Sequence, residues 1–369
     1  MKAAQDILLK LIRISLWGPG REEFTSMPEW EKVLMLAKQQ TVLGLVADAI
    51  PHLPEEFRPD PKITNKLHAT VINIYRSHSL LNRKIAELKG CLDSHDIRCV
   101  LFKGQGASLN YPKPLCRQCG DIDMYVGDRN FEKALRILKP ESDDDASNYK
   151  RLKHFSVEKD GVDIEVHRIA EVIPGRKMNR LFQEWTVRHL EGNDLHVVEI
   201  ESAAVNLPPH QFNALYIMNH AWHHFMNGGI GLRQLCDWTM FLHRHHADID
   251  HKTLEKDLKA FGLIRAWHIL AGIAVEHLGL PAEECPLYSG KSNSKSLLML
   301  DVIWNEGNFG FYSSGRKQRP AGHFAGKFHS FRVTSRRIRK VLIISPIDIV
   351  RSWITYFING MRNVFVRIK

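Results

Sequence analysis

Through the first 95 residues apolar positions recur every three to four residues, the signature of helices that bury one face. In MKAAQDILLKLIRISLW, Ile7, Leu8, Leu11, Ile12 and Leu16 share one such face. The segments WEKVLMLAKQQTVLGLVADAI and ITNKLHATVINIYRSHSLLNRKIAELKGCLDSHDI continue the pattern, and Pro51, Pro54, Pro59 and Pro61 punctuate the chain between them. An all-helical region is expected over 1–95.

The period changes at Ile97. IRCVLF reads as a buried strand and KGQGASLNY as a Gly-rich turn entering a helix. DIDMYV is a second strand, and RNFEKALRILK is a helix with Phe131, Leu135 and Leu138 on one face. HFSVEKDGVDIEVHRI reads as two strands joined at Lys159-Asp160-Gly161, because Asp-Gly favours the backbone twist of a tight hairpin. These elements make a compact α/β unit. A further hairpin is expected in TVRHLEGNDLHVVEI, turning at Gly192-Asn193, and Pro208-Pro209 then opens the helix HQFNALYIMNHAWHHFM. Helical patterns run on to about residue 280, and 285–330 reads as loop-rich. The expected divisions are 1–95 helical, 96–200 an α/β core, 201–330 helical, and 331–369 a basic segment.

Composition changes this picture in one place. The net charge of +10 lies in 316–369, where thirteen Lys and Arg stand against a single acid, Asp348. The rest of the chain is therefore slightly acidic, and a polyanion or a membrane surface is the partner such a basic, aromatic-interleaved segment would suit. The six cysteines are too few and too scattered for a disulfide framework, and no apolar run is long enough to span a bilayer. Lys10 and Arg13 interrupt the N-terminal apolar run, which argues against a secretory signal. A reducing cytoplasm is the expected setting.

Side chains alternate along a strand, so Asp121 and Asp123 project to one side of DIDMYV, and Asp163, Glu165 and His167 to one side of VDIEVH. If the two strands are neighbours, several carboxylates converge on one sheet face. Such a cluster repels itself unless cations sit among the acids, and hard oxygen ligands favour Mg²⁺ or Mn²⁺.

The ordered set LFKGQGASLNYPKPLCRQCGDIDMYV followed by VDIEVH resembles the uncharacterised nucleotidyltransferase family of the DNA polymerase β-like superfamily. The resemblance rests on Lys103-Gly104, Arg117, Gly120-Asp121-Ile122-Asp123 and Glu165-x-His167, and continues in His220, His224, Arg233, Asp237 and EGNFG at 306–310. It implies an α+β fold in which a small mixed β-sheet nucleotidyltransferase core is flanked by N-terminal and C-terminal helical regions. It also implies transfer of a nucleoside monophosphate from an NTP to an unidentified hydroxyl acceptor. Two metal ions, Mg²⁺ or Mn²⁺, would be held by Asp121, Asp123 and Glu165. Gly104, Gln105 and Gly106 would offer backbone N–H groups to phosphate, and Lys103, Arg117 and Arg233 would neutralise the triphosphate. Asp163, His167, His220, His224 and Asp237 are further candidates. The superfamily's commoner Gly-Ser or Gly-Gly turn is replaced here by Lys-Gly-Gln-Gly.

Other readings of these residues stand beside that one. Cys116 and Cys119 have the spacing of half a zinc site but lack clustered partners, so two ordinary thiols are expected. His220 and His224 lie one helical turn apart, and Arg233 and Asp237 could form an i,i+4 ion pair. The alternative function is a non-catalytic nucleotide- or polyanion-binding protein on a degenerate core.

Overall fold

The computed structural model describes residues 2–20, 22–140, 152–291, 293–308 and 341–351. Helices α1 (Lys2–Trp17), α2 (Trp30–Gln39) and α3 (Leu43–Ala49) lead into the long α4 (Pro61–Asp93). Asp60 caps α4 by accepting from Ile63 N at 2.9 Å, and Pro61 at the first helical position has no N–H to leave unpaired.

A four-stranded mixed sheet follows, in the order β1 (Val100–Phe102), β2 (Asp121–Tyr125), β4 (Val162–His167), β3 (His154–Lys159). The strand β2 runs antiparallel to β1 and parallel to β4, with Asp121 opposite Asp163 and Asp123 opposite Glu165. The β3–β4 hairpin turns at Asp160-Gly161, both at positive φ, as the sequence predicts. Between the strands lie α5 (Gly104–Ser108) and α6 (Gly127–Leu138).

The hairpin expected at Gly192-Asn193 is displaced. TVRHL ends α7 (Arg176–Leu190), and the real ladder pairs β5 (His196–Ile200) with β6 (Ala203–Leu207). Its turn, Glu201-Ser202, takes positive φ without a glycine or asparagine to announce it. Further helices are α8 (His210–Asn227), α9 (Leu232–His245), α10 (His251–Phe261), α11 (Ile264–Glu276) and α12 (Asn293–Glu306). The helix α12 corrects the loop reading of 285–330 over 293–306, where Met299, Leu300, Val302 and Ile303 pack as a buried face, while 309–330 lies outside the described residues.

Two cores explain the arrangement. On one sheet face Leu101, Ile122, Met124, Ile164 and Val166 pack with Leu81, Ile85, Leu88 and Leu92 of α4 and Phe131 and Leu135 of α6. The opposite face carries Phe102, Tyr125 and the acids, and turns toward a larger core built jointly from α1–α3 and α8–α12. The N-terminal and C-terminal helices are stitched together by Trp17 Nε1 donating to Leu278 O at 2.6 Å and Gln40 Nε2 donating to Ile303 O at 3.1 Å. Of the basic segment, 341–351 is described, with Val341, Ile344 and Ile349 buried. The rest of 316–369, and residues 309–310 of EGNFG, lie outside the described residues. Among the described residues no helix is long and apolar enough to cross a membrane.

Candidate active site

Strand alternation puts Asp121, Asp123, Asp163, Glu165 and His167 on the sheet face that looks toward α8. Asp163 and Asp121 sit at the open start of their strands, whereas Asp123 is 3% exposed. Asp123 Oδ1 lies 2.8 Å from Lys103 Nζ and 2.8 Å from His167 Nε2. Burial alone would raise the Asp123 carboxyl, but the Lys103 charge and the His167 hydrogen bond outweigh it and hold the group well below the usual carboxylate range. Burial works against the Lys103 ammonium too, and Asp123 more than compensates, so the lysine stays charged.

Glu165 is half-buried, with Oε2 3.4 Å from His167 Nε2 and Oε1 3.7 Å from His154 Nε2. The hydrogen bond from His167 lowers its pKa. Asp121 behaves in the opposite way: the protein packed around it, then the charge of Asp123, raise its carboxyl above the ordinary value. The acids thus form a face with surplus negative charge at its open edge.

The turn after β1 is strained where it meets this face. Lys103 adopts φ 44°, ψ −137°, sparsely populated for a residue with a Cβ, and Gly104 follows at φ 35°. A Cβ on Gly104 would stand 3.2 Å from the carbonyl oxygen of Asp121, so only glycine lets the turn approach β2 this closely. Gln105 points inward instead: its amide donates to Asn82 Oδ1 and, at 3.1 Å, to His78 Nδ1. Gly106 packs against Leu207.

Arg117 and Asp237 come together, but as a buried brace. Arg117 Nε and Nη2 donate to the two carboxylate oxygens of Asp237 at 2.9 and 2.7 Å, and Tyr111 OH adds a third bond at 2.7 Å. Arg117 Nη1 reaches Cys119 Sγ at 2.9 Å, and His78 Nε2 donates to Arg117 O at 2.6 Å. Asp237 therefore takes its cation from the approach to β2 and not from Arg233 one turn earlier. The two thiols sit in unlike surroundings: burial pushes Cys116 up to about 11, while for Cys119 burial is outweighed by Arg117 and His78, and its pKa falls.

Arg233 is a second guanidinium near the acids. Its Nη1 donates to Gln118 O at 2.9 Å, its buried Nε has no partner, and it feels the charge of Asp121. Burial and the neighbouring Arg117 lower its pKa, which marks it as a guanidinium that would gain from an anion.

His220 and His224 stand edge to face with ring centroids 4.3 Å apart. The partner of His220 is one the sequence reading missed: Glu171, 1% exposed, with Oε2 3.5 Å from His220 Nδ1 and Oε1 2.8 Å from Lys153 Nζ. The apolar stretch around Glu171 hid it, although a lone acid in such a run is itself a signal of a buried polar partner. Tyr216, its ring tilted against Phe102 with centroids 4.7 Å apart and its buried hydroxyl without a hydrogen-bond partner, and His154 are likewise new to the site.

Asp121, Asp123 and Glu165 offer carboxylate oxygens on one face and could hold Mg²⁺ or Mn²⁺. The Asp121 carboxyl, raised first by burial and then by the charge of Asp123, is one that a cation held there would help to ionise. His154 and His167 bring two imidazoles whose ligand atoms lie within 4.8 Å of that of Glu165.

Comparison with known proteins gives a family model, described as uncharacterised nucleotidyltransferase, that matches residues 26–279. No curated protein matches the chain. The crystal structure of an antigenic nucleotidyltransferase-like protein from Paracoccidioides brasiliensis is similar at 13% identity, over 55% of this chain and 92% of that one, with a TM-score of 0.29.

Proposed function

Given that the chain belongs to the uncharacterised nucleotidyltransferase family, we propose that it transfers a nucleoside monophosphate from an NTP to a hydroxyl acceptor with the help of divalent metal ions. The observation that carries this reading is the β2–β4 register, which sets Asp123 beside Glu165 with Asp121 on the same face.

Asp121, Asp123 and Glu165 would hold two Mg²⁺ or Mn²⁺ ions, which when bound supply charge neutralisation at the attacking and leaving oxygens. The chain's own residues do the rest. Arg233, its Nε unspent, would take triphosphate oxygens, and the backbone N–H groups of Gly104–Gly106 would face them from the strained turn. Lys103 holds Asp123 ionised. Glu165, kept ionised by His167, would orient the acceptor hydroxyl and take its proton. The acceptor oxygen then bonds to the α-phosphorus, the bond from that phosphorus to the bridging oxygen breaks, and pyrophosphate leaves. Arg117 supports this from beneath as the brace to Asp237. The basic segment 316–369 would offer a polyanion or membrane surface its charge.

A second reading, nucleotide binding without transfer, draws on one observation: Lys103 already neutralises Asp123, and His167 occupies the same carboxylate oxygen. One experiment separates the two. Thermal shifts with each NTP, with and without Mg²⁺ or Mn²⁺, are followed by mass-spectrometric search for nucleotide adducts in extract. Stabilisation plus adducts supports transfer, stabilisation alone supports binding, and the absence of both rejects both readings.

A further inference from the structure

A second cluster of ligating side chains lies apart from the sheet face and shares no residue with it. His196 on β5, His210 at the start of α8 and His245 at the end of α9 form a column of three imidazoles, the first pair stacked at 3.7 Å and the second tilted by 30° at 3.8 Å. Asp248, in the turn His246–Asp248, caps the column: its Oδ2 is 2.8 Å from His210 Nδ1 and 3.6 Å from His245 Nδ1. The ligand atoms of His210, His245 and Asp248 all lie within 4.8 Å of one another.

The hydrogen bonds around Asn110 assign a tautomer to His245. Asn110 donates through Nδ2 to Ala107 O at 3.2 Å, which fixes its amide and turns Oδ1 toward His245 Nε2 at 3.0 Å. An amide oxygen only accepts, so Nε2 carries the proton and Nδ1 presents a lone pair. That lone pair and the carboxylate oxygen of Asp248 lie 3.6 Å apart, and a cation between them would be attracted to both. A carbonyl behind the far nitrogen is also how metal-binding histidines are held in orientation.

We propose that His210, His245 and Asp248 bind a borderline divalent metal of the zinc class through the two Nδ1 atoms and the carboxylate. Two imidazoles and one carboxylate suit Zn²⁺ or Co²⁺ and not Mg²⁺. The proton that His210 Nδ1 shares with Asp248 moves to its Nε2 on binding, so the ring stays neutral. Asp248, exposed, leaves the remaining positions to water. The metal would fasten the start of α8 to the end of α9 and, through Asn110, to the chain that leads from the strained turn to β2.

The test is a Co²⁺ titration of the metal-stripped full chain, read by its visible d–d absorption and reversed by Zn²⁺. One equivalent is expected to bind. Asp248→Asn and His245→Gln each weaken binding at least about tenfold, while Asp121→Asn and Glu165→Gln leave this signal in place. Circular dichroism checks that each variant is folded, and because Asp248 is exposed, Asp248→Asn alone decides if His245→Gln fails to fold. Wild type that takes up neither ion in molar excess overturns the proposal. So does a signal that survives Asp248→Asn, or one lost in Glu165→Gln instead, which would put the metal on the sheet face.

Discussion

Asp123 and Glu165 are register partners across the parallel β2–β4 ladder, and both carboxylates reach the same imidazole nitrogen of His167, at 2.8 and 3.4 Å. One buried ring thus couples two of the three proposed metal-binding acids, and Asp121 is the acid left outside that network.

Asp121 is for this reason the informative substitution. Asp121→Asn is expected to lower transfer about a hundredfold without lowering the unfolding midpoint, since burial and the charge of Asp123 disfavour the ionised carboxylate in the fold. Asp123→Asn should also abolish transfer but destabilise the fold by about 3 kcal/mol, because it strands the Lys103 ammonium. Paired activity assays and thermal melts check the contrast, and an active Asp121→Asn enzyme would reject the metal assignment.

The Arg117–Asp237 brace predicts a strongly coupled double-mutant cycle. Arg117→Met or Asp237→Leu alone should cost about 3–5 kcal/mol by leaving an uncompensated buried charge. The double variant should cost clearly less than the sum, measured by denaturant unfolding. Additive losses would mean the two side chains do not act on each other.

Arg233 predicts the complementary pattern. Arg233→Met should barely change the unfolding midpoint, because the guanidinium gives up one hydrogen bond, to Gln118 O. The nucleotide-dependent thermal shift should fall as for about tenfold weaker binding, or 1.4 kcal/mol. An undiminished shift would remove Arg233 from the triphosphate site.

Glu171 predicts an acid limb in stability. Burial would raise its carboxyl, but the facing His220 and the charge of Lys153 hold it well below the ordinary value of 4.5. A depressed folded-state pKa gives stability that is fully present above the unfolded value and lost as pH falls toward the folded one. Glu171→Gln should therefore cost about 3 kcal/mol at neutral pH, with the gap to wild type narrowing progressively below about pH 4.5. Unfolding midpoints across that range test it, and a constant gap would contradict it.

Where alternation and turn chemistry agreed, the sequence was a good guide. DIDMYV and VDIEVH could be read as neighbours with their acids on one face, because the opposite face needed Ile122, Met124, Ile164 and Val166 for a core. The β5–β6 turn was missed because Glu201 and Ser202 take positive φ with no glycine to mark it. Arg117 and Arg233 were indistinguishable as sequence, since only packing assigns one guanidinium to Asp237 and leaves the other facing Asp121. The partnership of Glu171 with α8 was equally hidden, because it depends on how a helix from later in the chain docks on the sheet.

The core shared by α1 and the late helices has a consequence for synthesis. Ribosomes deliver the chain from its N-terminus, so Leu8, Leu11 and Ile12 emerge long before Ala266, Ile269 and Ile273, which belong to the same core. Until α11 has left the exit tunnel, a nascent chain carries the apolar face of α1 without its full cover, and that interval is when a chaperone or an aggregate can claim it.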